Sequence, residues 1–184
     1  VGSLKGAKHG GANARVIAMM ADIQENVGDW TDREEVQSYL ERILRKEAGD
    51  GSGLIYGMGH AVYTVSDPRA VLLKQKAADL AEEKQRRDEF ALYELIEETT
   101  PAAFRAVKGY DRVIAPNVDF FSGFVYSMLN IAAELYTPIF AMSRIAGWSA
   151  HLLEEHVSGG RIIRPAYKSV MPRKPYVSLD ERSS

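Results

Sequence analysis

The chain has 184 residues, 46% of them hydrophobic, and a net charge of −2, so nothing pulls it globally toward nucleic acid or an anionic membrane. Zero cysteines exclude disulfides and thiolate metal sites and accord with a reducing cytoplasm. No run of 18 apolar residues is present and no basic-then-apolar pattern opens the chain, while a first residue of Val1 instead of methionine predicts a fragment.

The elements read as helices throughout. After KHGGAN, residues 8–13, the residues Val16, Ile17, Met19, Met20 and Ile23 recur at helical spacing, and Asn13 is placed to cap that helix. Thr31 with Glu34 forms a capping box ahead of a second helix, marked by Val36, Tyr39, Leu40, Ile43 and Leu44. AGDGSG, residues 48–53, breaks it, and the glycines of LIYGMGHAVYTV make a loop of a stretch that otherwise reads as a strand. Asp67 and Pro68 suit the cap and first position of a third helix. Residues 70–108 are mostly helix formers, with breaks predicted near Arg87 and before Pro101; EEKQRRDE, residues 82–89, reads as a solvated charge run. APNVDFFSG is a further loop-to-helix junction, followed by an apolar stretch from Phe120 to Leu135 too short and interrupted to span a bilayer. Thr137-Pro138 opens a last helix through Trp148 to about Val157, closed by Gly159-Gly160. The tail, with Pro165, Pro172 and Pro175, is predicted to be extended.

Three junctions could carry chemistry: KHGGAN with His9, GMGHAV with His60, and PNVDFFSG with Asp119. Glycine lets a substrate approach the backbone closely, and a helix start offers unpaired N–H groups and the positive dipole end. Each alone has a plain alternative: a turn histidine is usually just hydrogen-bonded, and Asp119 could simply cap a helix. Arg69, Arg144 and Arg164 add a second signal. Guanidinium groups pair bidentately with carboxylates, so several together suggest a di- or tricarboxylate ligand. Arg144 lies inside the apolar AMSRIAGW, where a charge is costly unless paired.

These motifs occur together in an order that resembles the citrate synthase family. LKGAKHGGAN, GMGHAVYTVSDPRA, PNVDFFSGFVY, SRIAGWSAHLLE and RIIRPAYKSV carry the resemblance, which covers essentially the whole chain through YVSLDER. The match is to the C-terminal portion, beginning just before the first catalytic histidine. It implies an all-α fold with an active site in a cleft between a large and a small domain. Residues 1–11 would be a large-domain remnant, 12–124 the small domain, and 125–184 the helices and tail that return to the large domain. It also implies a cytoplasmic homodimer that condenses acetyl-CoA with oxaloacetate and water to citrate and CoA.

Under the resemblance, His9 would hydrogen-bond the thioester carbonyl, Asp119 would remove the methyl proton, and His60 would polarise the oxaloacetate carbonyl. Arg69 and Arg144 would hold oxaloacetate carboxylates together with His60, and Arg164 would be supplied across the dimer. Gly57, Met58, Gly59 and Asn117 would meet coenzyme A, which enters only as part of the substrate; no metal or resident cofactor is implied. Three departures stand out. Thr64, Val65 and Ser66 replace basic residues that often follow GHAVY; Ala166 and Tyr167 stand after Pro165, where many relatives have an arginine; and an upstream oxaloacetate-binding histidine is missing. The isolated fragment is therefore expected to be inactive. The competing readings are a 2-methylcitrate synthase acting on propionyl-CoA, a two-histidine-one-carboxylate iron enzyme, and a non-catalytic helical interaction module.

Overall fold

The computed structural model describes residues 4, 11–60, 62, 63, 65–109, 113–162, 172 and 175–182. They form six α-helices: α1 (Ala12–Asn26), α2 (Arg33–Leu44), α3 (Pro68–Glu83), α4 (Arg87–Lys108), α5 (Val118–Met128) and α6 (Tyr136–Ser158). Single 3₁₀ turns lie at Ala133–Leu135 and Leu179–Glu181. The described residues contain no strand, only an isolated antiparallel bridge between Met58 and Pro116. None of these helices is long and apolar enough to cross a membrane.

The chain divides into two compact units, Val1–Ala146 and Gly147–Ser184. In the first, α2 packs on α4, while α5 is flanked by α1 and α3. The centre is aromatic. Phe120, Phe121 and Phe124 of α5 are buried against Phe90 and Tyr93 of α4, with Tyr93 ring centroids 5.3 Å from Phe120 and 4.9 Å from Phe124. Fully burying one such ring contributes ~1.5–3 kcal/mol, so α5 is the post on which the other helices lean. Gly123 sets how closely α1 can approach that post. A Cβ there would lie 2.8 Å from Asn13 Oδ1 and 2.9 Å from Ile17 Cδ1.

The second unit continues α6 to Ser158, where Gly159 at φ 60° ends it as the sequence predicts. The described tail residues carry no regular helix beyond the single turn at Leu179–Glu181.

Several local expectations are corrected. Asn13 does not cap α1; Gly11 occupies that position, and the Asn13 amide reaches across to Ser122 Oγ on α5. The cap of α2 is Asp32, whose carboxylate accepts the Glu34 and Glu35 amides at 2.8 and 3.3 Å. Thr31 is drawn off because its hydroxyl donates to Asp29 at 2.7 Å. Pro101 does not break α4, which runs straight through it. Burial of Leu92, Tyr93, Ile96 and Ala103 on one face outweighs the one backbone hydrogen bond that proline forgoes. The charge run at 82–89 is not wholly solvated. Arg86 is half-buried, donates to Glu89 and to Ser127 on α5, and lies 5.6 Å from the Phe124 ring centroid.

Candidate active site

Glycine positions the first wall of the site. Gly57 has φ 81°, and a Cβ there would lie 2.8–2.9 Å from Phe120. Only glycine permits the loop to cross the start of α5 so closely. The loop is then stitched to the chain before α5. Asn117 N donates to Gly57 O at 2.8 Å, Gly59 N to Ala115 O at 2.7 Å, and the Asn117 amide to Gly59 O at 3.0 Å. Part of the backbone of Gly57 and Gly59 is thus committed internally. Asn117 is also the N-cap of α5: its side-chain oxygen accepts Asp119 N at 2.9 Å. That settles the capping question raised by the sequence. Asp119 is not the cap, and its half-buried carboxylate sits in the first turn, at the positive end of the helix dipole.

His60 follows directly from the clamped loop. Its Nδ1 accepts the amides of Val62 and Tyr63 at 2.9 and 3.0 Å. A ring nitrogen that accepts cannot carry the proton, so this network assigns the proton to Nε2. Around Nε2 stand Arg69 Nη2 at 3.4 Å, itself a donor, and Asp67 Oδ2 at 3.7 Å, too far to accept. The Nε2–H therefore has no good acceptor among the described residues, in a side chain only 18% exposed.

Arg69 is held from below by Asp67. The Asp67 side chain is 0% exposed and accepts Arg69 Nε at 3.0 Å, Nη2 at 2.8 Å and the Arg69 amide at 2.9 Å. These bonds to Arg69 hold the Asp67 carboxyl below its ordinary range, against the opposing effect of burial. The same bonds raise the Arg69 guanidinium above its ordinary value. Asp67 is the contact of Arg69 that sequence reading misses. In DPR it reads only as a helix cap, which it also is. The available signal was a carboxylate two residues from an arginine and seven from a histidine.

His60 and Arg69 each line a separate cavity. One of about 330 Å³ is lined by Leu54, Met58, Gly59, His60, Phe104 and Ile114. The other, of about 200 Å³, is lined by Arg69, Asp119, Asn13, Ser122, Tyr126 and Phe140. The structure thus brings His60, Arg69 and Asp119 into one neighbourhood, and Asp119 contributes to the electrostatic environment of Arg69. Arg144 is a partial correction. It is exposed on α6 rather than enclosed by apolar residues, with its guanidinium 5.5 Å from the Phe140 ring centroid. No burial cost arises there, because the surrounding face of α6 is itself exposed. His9 and Arg164 lie outside the described residues.

Comparison with known proteins agrees with the motif order. Residues 1–166 match the family model for the citrate synthase C-terminal domain. A citrate synthase from Haloferax volcanii is 39% identical over 183 residues, covering 99% of this chain and 43% of that protein. A 2-methylcitrate synthase from Shewanella oneidensis is 35% identical over 176 residues, covering 95% of this chain and 41% of that one. Among solved structures, the ternary complex of carboxymethyl coenzyme A and oxaloacetate with the citrate synthase of Thermoplasma acidophilum aligns with a TM-score of 0.69 at 32% identity. That alignment covers 98% of this chain and 44% of the other. The chain spans less than half the length of the curated relatives it matches.

Proposed function

This chain belongs to the citrate synthase family, and from that premise we propose that its site serves the condensation of acetyl-CoA with oxaloacetate to citrate and CoA. What supports the reading is one arrangement: an Nε2–H of His60 with no good acceptor among the described residues, beside a guanidinium fixed by a buried carboxylate, with Asp119 lining the same cavity as that arginine.

The chemistry follows from those groups. A thioester α-proton is weakly acidic, so a free enolate is costly. Asp119 removes the methyl proton while His9 donates a hydrogen bond to the thioester oxygen. A positioned acid or base contributes about 10²–10⁴-fold, and a donor aimed at a developing oxyanion a similar factor. The resulting enol carbon attacks the ketone of oxaloacetate, whose oxygen takes the His60 Nε2–H hydrogen bond. Arg69, Arg144 and, across a homodimer, Arg164 hold the carboxylates. Hydrolysis of the thioester then releases CoA. The cavity of about 330 Å³ beside Met58 and Gly59 is where the nucleotide end of CoA would lodge, against the backbone groups left free by the clamp to residues 115–117. In this reading residues 12–124 form the small domain and 125–184 return to the large one, in a cytoplasmic enzyme. The chain by itself, at 43% of the length of the Haloferax volcanii enzyme, is expected to turn over nothing. Propionyl-CoA is the second candidate acyl donor, favoured by the 35% identity to a 2-methylcitrate synthase. Comparing rates with the two acyl-CoA substrates decides between them.

The decisive experiment is Asp119→Asn in the gene product that carries this chain. Asn117 keeps the cap, so the fold should survive. The expected loss is about 10²–10⁴-fold in kcat, with oxaloacetate binding retained and exchange of the acetyl-CoA methyl protons falling in parallel. Near-normal turnover in a folded variant removes Asp119 from the mechanism.

A further inference from the structure

A third cavity, of about 290 Å³, contains none of the residues assigned to the condensation. Its walls are α1, the end of α2 and the loop of residues 49–56. Ala18, Met19, Ile43 and Leu54 give it an apolar lining, and Arg15, Asp22 and Asp50 give it charge. Two of these charges have capacity to spare. Arg15 donates through Nη1 to the Tyr56 hydroxyl at 3.1 Å, lies 5.4 Å from that ring's centroid and forms no ion pair among the described residues, so Nε and Nη2 remain. Asp22 Oδ2 accepts the Tyr39 hydroxyl at 2.8 Å, while Oδ1 has only a long 3.5 Å contact with Asn26. Asp50 is engaged: it accepts the Tyr56 hydroxyl at 2.6 Å and the Ser52 amide at 2.9 Å. Hydrogen bonds from Ser52 and Tyr56 hold its carboxyl down at about 2, so it stays ionised.

We propose that this cavity binds an apolar α-amino acid, with its carboxylate on Arg15, its ammonium on Asp22 and its side chain on the apolar lining, and that binding acts on the neighbouring coenzyme A cavity; the second half rests on the condensation reading above. Arg15 and Asp22 are seven residues apart on one stripe of α1, about 10 Å along its axis, with Ala18 and Met19 between them. A carboxylate and an ammonium on one carbon, each with a charge-assisted hydrogen bond, span roughly 8–9 Å. One guanidinium against two carboxylates repels a simple anion and accepts a zwitterion. The volume, at the low end of the ~300–1,000 Å³ of small-molecule sites, suits an amino acid and not a nucleotide. The route to the other cavity is short. Leu54 lines both cavities, and Tyr56 precedes Gly57, where the loop is clamped to residues 115–117. A ligand packed on Leu54 and Tyr56 holds that shared wall in place.

Calorimetric titration of L-leucine into the gene product that carries this chain tests the site. Saturable binding is expected, undiminished by excess oxaloacetate. Arg15→Gln should weaken it about 10–100-fold, the worth of a hydrogen bond to a charged group. Isoamylamine, which is leucine without its carboxylate, should bind the wild type more weakly than leucine does and bind R15Q no worse than wild type. Ala18→Phe, at an exposed position of α1, should fill the cavity and abolish leucine binding, and it repeats the test should R15Q fold poorly. Saturating leucine should lower KM for acetyl-CoA about 5-fold in the wild type and leave it unchanged in A18F. No saturable binding by about 10 mM overturns the proposal, as does leucine displaced by oxaloacetate or bound equally well by A18F. Leucine bound with an unchanged KM overturns the coupling. Leucine bound with the expected response to both substitutions, by a protein that condenses nothing, overturns the reading of function and leaves this site standing.

Discussion

At the scale of single residues, the site depends on atoms that are missing as much as on atoms that are present. Gly57 is the clearest case, since its φ of 81° and the 2.8 Å approach to Phe120 leave no room for a methyl group. Gly57→Ala should lower stability by at least ~1–3 kcal/mol, from overpacking added to an unfavourable backbone conformation. Urea unfolding measures this, and a variant as stable as wild type would mean that the loop can retreat from α5. The sequence displayed His60, Arg69 and Asp119 openly, each beside glycine, proline or a helix start. It concealed Asp67, because a cap and a buried charge partner use the same residue in the same dipeptide.

At the scale of elements, helix pairs are tied by polar bonds laid over apolar contacts. The Tyr39 hydroxyl donates to Asp22 at 2.8 Å and so joins α2 to α1. Burial, with that bond and the Asp22 charge, pushes the Tyr39 phenol up to about 12 from an ordinary 10. The folded state holds the proton more tightly than the unfolded chain does. The stability this gives is complete below pH ~10 and is lost as pH rises toward 12. Tyr39→Phe should cost ~0.5–1.5 kcal/mol at neutral pH, and its deficit against wild type should shrink across that alkaline window. Chemical denaturation at a series of pH values tests both statements; a deficit independent of pH would disconnect Tyr39 from Asp22. Pro101 teaches a different lesson about elements. A residue that ends helices in isolation sits inside α4, where Thr99 and Thr100 hydroxyls bond back to Leu95 and Ile96 carbonyls at 2.6 Å and the buried face continues on both sides.

At the scale of the molecule, the second unit presents apolar residues with nothing described against them. Trp148, Leu152, Leu153 and Val157 are all exposed on the later turns of α6, Val157 at 88%. Surfaces of that kind drive association. The chain alone should therefore form oligomers or aggregates at micromolar concentration in sedimentation velocity runs. Leu152→Glu combined with Val157→Glu should shift it toward monomer. A monodisperse monomer for the unsubstituted chain would contradict this.

The sequence by itself determined the helical class, the places where helices begin at Pro68 and end at Gly159, and the family to which the motif order points. Those features are local. They rest on the period of apolar residues, on proline and glycine geometry, and on residues adjacent in the chain. Tertiary structure alone decided which of two neighbouring polar residues caps a helix, as with Asp32 over Thr31 and Asn117 over Asp119. It also decided that Asn13 reaches Ser122, 109 residues away, instead of capping its own helix. The placement of Asp67 beneath Arg69 and beside His60 belongs to the same class. The reason is physical: a polar side chain with several partners within reach takes the one that burial leaves without water, and burial is a property of the packed molecule.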